Sequence, residues 1–257
     1  MWGAICGDII GSTYEGNPVK SEEIDLFPMG SVYTDDSVLT VAVADAILND
    51  INYAKKLKEY GRKYPNAGYG GNFMRWIFSD SYEPYGSFGN GSAMRVSPVG
   101  FAYDNLEKVN EEAKKSSAAT HDHPEGIKGA QATAAAVYLA RNNHDKSEIK
   151  EYITNNFSYD LERCVEEIRP GYSFDVTCQG SVPESIICFL ESKDLEDAIR
   201  KGISLGGDSD TIACIAGSIA YAYYNEVPES ILTKVKEKLD SHLLKVIEEF
   251  NTKIIKS

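Results

Sequence analysis

The sequence predicts an all-α protein, a single compact multi-helix domain spanning 1–257. Three observations predict it. Apolar residues recur at helical spacing along most of the chain. The stretch Gly129 to Arg141 is so rich in alanine that only closely packed helices accommodate it. No run alternates apolar and polar residues as a half-buried strand does. With 257 residues, 42% of them hydrophobic, the chain can bury a sizeable core and does not read as disordered.

The first element is an apolar N-terminal helix in which Gly3, Gly7 and Gly11 recur at spacing four, expected to end near Ser12, Thr13, Tyr14 and Glu15. Glycine costs a helix interior about 1 kcal/mol relative to alanine, so three on one face imply a backbone or a ligand pressed against them. Tight core packing is the simpler of the two. The next helix, 38–48, carries Val38, Val41, Ala42, Ala44, Asp45 and Leu48 without Gly or Pro. Further helices are expected over 52–63, 72–79, 104–118, 147–156, 160–168, 182–191, 194–203, 210–224 and 228–250. Pro124, Pro183 and Pro228 are expected near first-turn positions, where the missing N–H costs nothing. Tyr64 to Gly71 and Tyr82 to Gly91, rich in Gly, Pro, Asn and Tyr, read as surface loops.

Acidic residues outnumber basic ones by 39 to 26, a net charge of -13, which disfavours gripping a nucleic-acid backbone. Any phosphate-bearing ligand must be held without a basic patch. The longest nearly apolar stretch, Thr211 to Tyr224, is shorter than the ~20 residues that span a bilayer, so no membrane association is expected. No basic residue precedes Lys20 and Asp8 interrupts the first apolar run, which does not read as a secretory signal. Five cysteines with no C-x-x-C pair favour reduced thiols and a cytoplasmic protein, and a monomer is expected.

Two acidic clusters stand directly before apolar helices: Thr34-Asp35-Asp36-Ser37 and Gly206-Gly207-Asp208-Ser209-Asp210-Thr211. Each alone is explained by helix capping, which favours Thr, Ser and Asp. Together they exceed what capping needs, since four carboxylates at buried helix ends repel unless protons or cations neutralise them. A pair of divalent cations is the economical answer, and carboxylate and hydroxyl ligands suit Mg²⁺, Mn²⁺ or Ca²⁺ rather than Zn²⁺. An EF-hand fails because Ile212 and Ala213 stand where that loop wants an oxygen ligand and glycine, and no Walker-type phosphate loop is present. The turn Gly89-Asn90-Gly91-Ser92-Ala93-Met94-Arg95 offers backbone N–H groups to an anion, though a plain turn reads equally well. His121 and His123 lack further His or Cys at zinc-ligand spacing, and the histidine that an HD-type phosphohydrolase needs upstream is missing, His121 being the first in the chain.

The segments GAICGDIIGSTYEG (3–16), YTDDS (33–37), GNGSAMRVSPVG (89–100), THDHPEGIKGAQATAAAVYLA (120–140) and GGDSDTIACIAGSIA (206–220) resemble the ADP-ribosylglycohydrolases, in that family's order. The resemblance implies an all-helical fold with a binuclear Mg²⁺ or Mn²⁺ site in a cleft, and removal of ADP-ribose from a modified protein or a small ADP-ribose conjugate. It implies Thr34, Asp35 and Asp36 as one set of metal ligands and Asp208, Asp210 and Thr211 as the other. Glu15 resembles the glutamate placed over the metals, and Glu15, Asp36 and Asp210 are the carboxylates able to act as general acid or base. Asn90, Gly91 and Ser92 resemble a phosphate-cradling loop, His121 a histidine touching ADP-ribose, and Arg95 an anchor of the turn by ion pairing. Arginine linkage is preferred from the family's bacterial activating branch. A catalytically inactive, ligand-binding or structural relative is the alternative, disfavoured because every ligand position here holds an oxygen donor. Tyr69, Tyr82 and Tyr85 offer stacking surfaces in the loops, ordinary packing being the plainer role for each.

Overall fold

The computed structural model describes residues 1–255, and among them the regular elements are helices, with one isolated β-bridge joining Gly89 to Thr177. In chain order they are α1 (Trp2–Glu15), α2 (Asp35–Asn49), α3 (Tyr53–Lys63), α4 (Gly71–Phe78), α5 (Gly91–Met94), α6 (Ser97–Ala102), α7 (Leu106–Ala118), α8 (Pro124–Arg141), α9 (Lys146–Phe157), α10 (Val165–Ile168), α11 (Cys178–Leu190), α12 (Leu195–Ser204), α13 (Ser209–Tyr224), α14 (Glu229–Lys238) and α15 (Ser241–Phe250). A π-helical turn follows over Asn251–Ile255. No described helix is long and apolar enough to cross a membrane.

The core is centred on α13, which is buried from Ser209 through Ala222. Against it lies α1, and the three glycines explain how closely. A Cβ on Gly3 would stand 2.0 Å from the Gly217 carbonyl oxygen, one on Gly7 2.1 Å from that of Ala213, and one on Gly11 2.6 Å from Cα of Asp210. The small-residue face is therefore filled by a neighbouring backbone and not by a ligand. The alanine-rich α8 packs on the same central helix, with Ala130, Ala132 and Ala134–Ala136 fully buried.

Four expectations are corrected. First, α1 does not stop before the polar residues Ser12 to Glu15 but runs through them. Second, the helix expected over 160–168 is reduced to α10, because Asp160 turns its carboxylate onto the Glu162 N–H and offers the backbone a competing partner. Third, 228–250 is two helices: Asp240 accepts from the N–H groups of His242 and Leu243 and starts α15 anew. Fourth, Pro183 lies inside α11, which Thr177 caps one turn earlier than expected. The alanine-rich helix also starts earlier than Gly129, at Pro124 in its first turn.

Replacing Gly7 by alanine forces α1 and α13 apart and should lower unfolding stability by about 1–3 kcal/mol, the usual cost of overpacking. Gly16 has helical backbone angles and open space around it, so Gly16→Ala serves as the neutral control. Equal urea midpoints for the two variants would contradict this account of the packing.

Candidate active site

The N-terminus of α2 is tied to α1 by Asp8, a carboxylate with no exposure. Its Oδ2 accepts from the N–H groups of Thr34 and Ser37 at 3.0 Å each and from the Ser37 hydroxyl, and its Oδ1 accepts from the Thr34 hydroxyl at 2.6 Å. Four donors fill the roughly four lone-pair positions of a carboxylate. Asp8 thus fixes the first acidic cluster in place. Thr34 caps α2 by accepting from the Asp36 N–H at 3.3 Å. In the sequence reading Asp8 counted only against a signal peptide; its signal was a charge one residue after Gly7 in an apolar helix.

The second cluster is held differently. Asp208 precedes α13 without a side-chain cap, and its Oδ2 accepts from the Asn90 amide at 2.7 Å. That amide also donates to the Ser181 hydroxyl at 3.0 Å, and the Asn90 N–H bonds the Val176 carbonyl at 2.7 Å. The two clusters meet where the Thr211 hydroxyl donates to Asp36 Oδ2 at 3.2 Å. Asp8, Asp36 and Asp210 each bring a carboxylate oxygen within 4.8 Å of one another, and so do Glu15, Asp208 and Asp210. Asp210 belongs to both triads. Asp35 lies outside these triads and lines the cavity beside them.

Six acids in this space raise one another's resistance to ionisation. Burial first, then the charges of Asp8 and Asp208, push the Asp35 carboxyl up to about 8. Burial first, then the charge of Asp8 on Asp36 and of Asp36 on Asp210, hold both well above the carboxylate range, and burial also raises Asp208 despite its hydrogen bonds. Glu15, at the exposed end of α1, is raised by burial and by Asp208 and Asp8. Within this group the buried Asp36 Oδ1 has no hydrogen-bond partner. An orphaned carboxylate oxygen among hard oxygen donors fits a divalent cation.

All of these acids but Asp8, which lies beneath, line the floor of a cavity of about 460 Å³, in the range of small-molecule sites. All the site residues expected from sequence line it except Ser92, whose hydroxyl donates to the Gly126 carbonyl at 2.8 Å and points into the core. Gly91 opens the short helix α5, and His121 Nε2 would stand 3.2 Å from a Cβ placed there, so any side chain would crowd the ring. Arg95 is fully buried and lines the wall, but the ion pair expected for it is not formed: it donates to the Ser116 carbonyl and the Thr120 hydroxyl. Burial outweighs ion pairing here because no carboxylate reaches it among the described residues. His123 caps α8 through Nδ1 and takes no part in a zinc site. The loop 64–71 is exposed as expected and is also a cavity wall, through Gly68, Gly70 and Gly71. Of the three loop tyrosines, Tyr85 lines the cavity, Tyr69 packs on Phe73 with ring centroids 5.0 Å apart, and Tyr82 lies over the Lys58 ammonium. Phe174, 57% exposed on the cavity rim, went unnoticed because nothing in its neighbourhood marks it as more than a loop residue.

The segment after Glu15 is fastened to the loop of the second cluster. Lys20 donates to the carbonyls of Tyr172 and Leu205, and Glu22 pairs with Arg169 and with Lys201.

The sequence model described as ADP-ribosylglycohydrolase matches residues 1–256. ADP-ribosylhydrolase ARH3 of Mus musculus is 30% identical, the match covering 89% of this chain and 84% of that protein. ADP-ribosylarginine hydrolase Tri1 of Pseudomonas putida is 26% identical over 97% of this chain and 76% of its own length. A solved structure described as an ADP-ribosylglycohydrolase-related protein complex superposes with a TM-score of 0.74 at 22% identity, covering 97% of this chain and 95% of that one, and shows the same fold.

The raised acids fix the sign of a pH dependence. A carboxyl harder to ionise in the folded state contributes stability that is complete below its unfolded value and lost as pH rises through its folded one. In EDTA the urea midpoint should therefore fall from about pH 4 upward, with the Asp35 part of the loss complete only above about pH 8. Added Mn²⁺ or Mg²⁺ should restore it. A midpoint that rises over this interval in EDTA, or that ignores both cations, would contradict the electrostatic account.

Proposed function

The chain belongs to the ADP-ribosylglycohydrolase family and is a hydrolase of glycosyl bonds, and from that premise we propose that it removes ADP-ribose from a modified acceptor, arginine-linked by preference, with two divalent cations, Mg²⁺ or Mn²⁺. The observation that carries the proposal is the pair of carboxylate triads sharing Asp210 on the cavity floor, with Asp36 Oδ1 left without a partner. Asp36, Asp208, Asp210 and Glu15 would hold the cations, with Asp35, Thr34 and Thr211 completing the oxygen shell. Bound there, they supply positive charge that polarises oxygen ligands and brings hydroxide within reach near neutral pH.

The chain's own groups divide the remaining work. Asp8 keeps Thr34 and Ser37, and with them Asp35 and Asp36, at a fixed position. Asn90 orients Asp208. Glu15 is the acid that is both near the floor and open to solvent, so it is placed to pass a proton to or from the glycosidic bond, with Asp36 or Asp210 as the buried carboxylate that steers water. Asn90, Gly91 and the ring of His121 line the part of the cavity left for the phosphates, with Ser92 behind them. Arginine linkage is supported by the likeness to a protein named ADP-ribosylarginine hydrolase.

Release of ADP-ribose from matched arginine-linked and serine-linked peptides, with and without EDTA, tests the proposal. Metal-dependent release from the arginine peptide is expected, and release from serine alone would overturn the linkage preference. Asp208→Asn should lose at least about 90% of turnover together with the rise in Tm that cations give, since the carboxylate ahead of α13 is replaced by a neutral amide. Unchanged turnover of that variant in excess Mg²⁺ would sink the metal-site assignment.

A further inference from the structure

Arg95 sits 0% exposed in the cavity wall, and a guanidinium can only donate hydrogen bonds. Its Nη2 lies 2.8 Å from the Thr120 hydroxyl, and that hydroxyl lies 2.7 Å from His121 Nδ1. Thr120 is itself fully buried, and His121 is 5% exposed. The three side chains form one chain of hydrogen bonds with the arginine donating at its end. Because Thr120 must accept from Arg95, its single proton is free for Nδ1. The Tyr85 hydroxyl lies beside Thr120 as well, and the Thr120 proton goes to Nδ1 when Tyr85 is the donor of that pair. Electrostatics acts in the same direction: the unprotonated nitrogen is the negative end of the neutral imidazole dipole, and here it faces the guanidinium.

We propose that Arg95 and Thr120 are positioning residues that hold His121 neutral with its proton on Nε2, so that the imidazole presents a donor to the cavity and selects an acceptor oxygen on the ligand. The geometry aims that donor. Nε2 would stand 3.2 Å from a Cβ on Gly91 and 3.7 Å from one on Gly89, at the edge of the cavity. The backbone beneath is fixed on both sides, the His121 N–H bonding the Ser117 carbonyl at 2.8 Å and the His121 carbonyl accepting from the Ser117 hydroxyl at 2.9 Å. Burial and the nearby Arg95 charge both press the imidazole away from its protonated form. A ligand cation is disfavoured at this position by the same charge, whereas a phosphate or carbonyl oxygen is favoured.

The tautomer assignment stands on geometry alone; only its effect on turnover rests on the proposed hydrolysis. ¹⁵N-histidine labelling with long-range ¹H–¹⁵N correlation reads the tautomer directly in the unliganded protein, and the chain has only 4 histidines, His121 being identified by its absence in His121→Gln. The expected spectrum shows His121 with a protonated Nε2 and a bare Nδ1. A protonated Nδ1 in the wild-type protein overturns the proposal, whatever the outcome of the hydrolysis assays. Thr120→Val should give a mixture of the two tautomers and raise KM about tenfold with a smaller effect on kcat, and Thr120→Ser should restore both. If Thr120→Val does not fold, Arg95→Met removes the directing donor and should mix the tautomers in the same way. A pure Nε2–H signal that persists in whichever of these variants folds would show that neither residue directs it.

Discussion

The packing of α1 against α13 along Gly3, Gly7 and Gly11 is the contact on which the site depends. It brings two backbones closer than any side chain would permit, and its ends are functional. At one end Gly11 lies over the Asp210 backbone, so the acid-bearing start of α13 is held against the helix that carries Asp8 and Glu15. Asp8 then reaches across to α2 and fixes Thr34 and Ser37. Three helices that are distant in sequence are thereby held in a register set by atoms with little freedom, which is what a multi-ligand site requires.

That register imposes an electrostatic cost which the protein meets in two ways. Asp8 is compensated internally, with hydrogen-bond donors from Thr34 and Ser37 on both oxygens. Burial raises all three, but Asp36 and Asp210 have fewer donors: Asp36 accepts from the Thr211 hydroxyl with its other oxygen left unpaired, and Asp210 accepts from the Thr211 N–H. A buried carboxylate short of donors is among the most unfavourable groups a fold can carry, so Asp36 and Asp210 side by side on a cavity floor call for an external positive charge. The difference separates a structural acid from ligand candidates within one cluster.

The helical class, the two acidic helix starts and the cavity loops were legible because each has a local signature: periodicity, capping residues, or glycine and proline. The division of 228–250 was less so, because Asp240 reads as an ordinary charged residue until its carboxylate is seen on the N–H groups of His242 and Leu243. Asp8 was illegible as a site residue for a deeper reason. Its role is defined by donors 26 to 29 residues away, and no pattern within its own helix announces them. Arg95 shows the reverse case. Its position in a glycine-rich turn marked it, but sequence pointed to an ion pair, whereas its partners are a carbonyl and a hydroxyl.

The net charge of -13 disfavours a nucleic-acid backbone and yet permits a ligand bearing phosphates, and the reason lies in how charge is distributed within the cavity. Its floor is acidic and would repel an anion until cations occupy it. Its wall near α5 carries no carboxylate in contact with the ligand space; it offers backbone N–H groups, the imidazole of His121 and, behind them, the buried Arg95. An anionic ligand entering such a cavity is oriented by the gradient alone, its charged end toward the wall and its neutral hydroxyl-bearing end toward the floor. Reversing that orientation would place phosphate against Asp35 and Asp36, so while its charge is uncompensated the acid cluster disfavours the wrong pose.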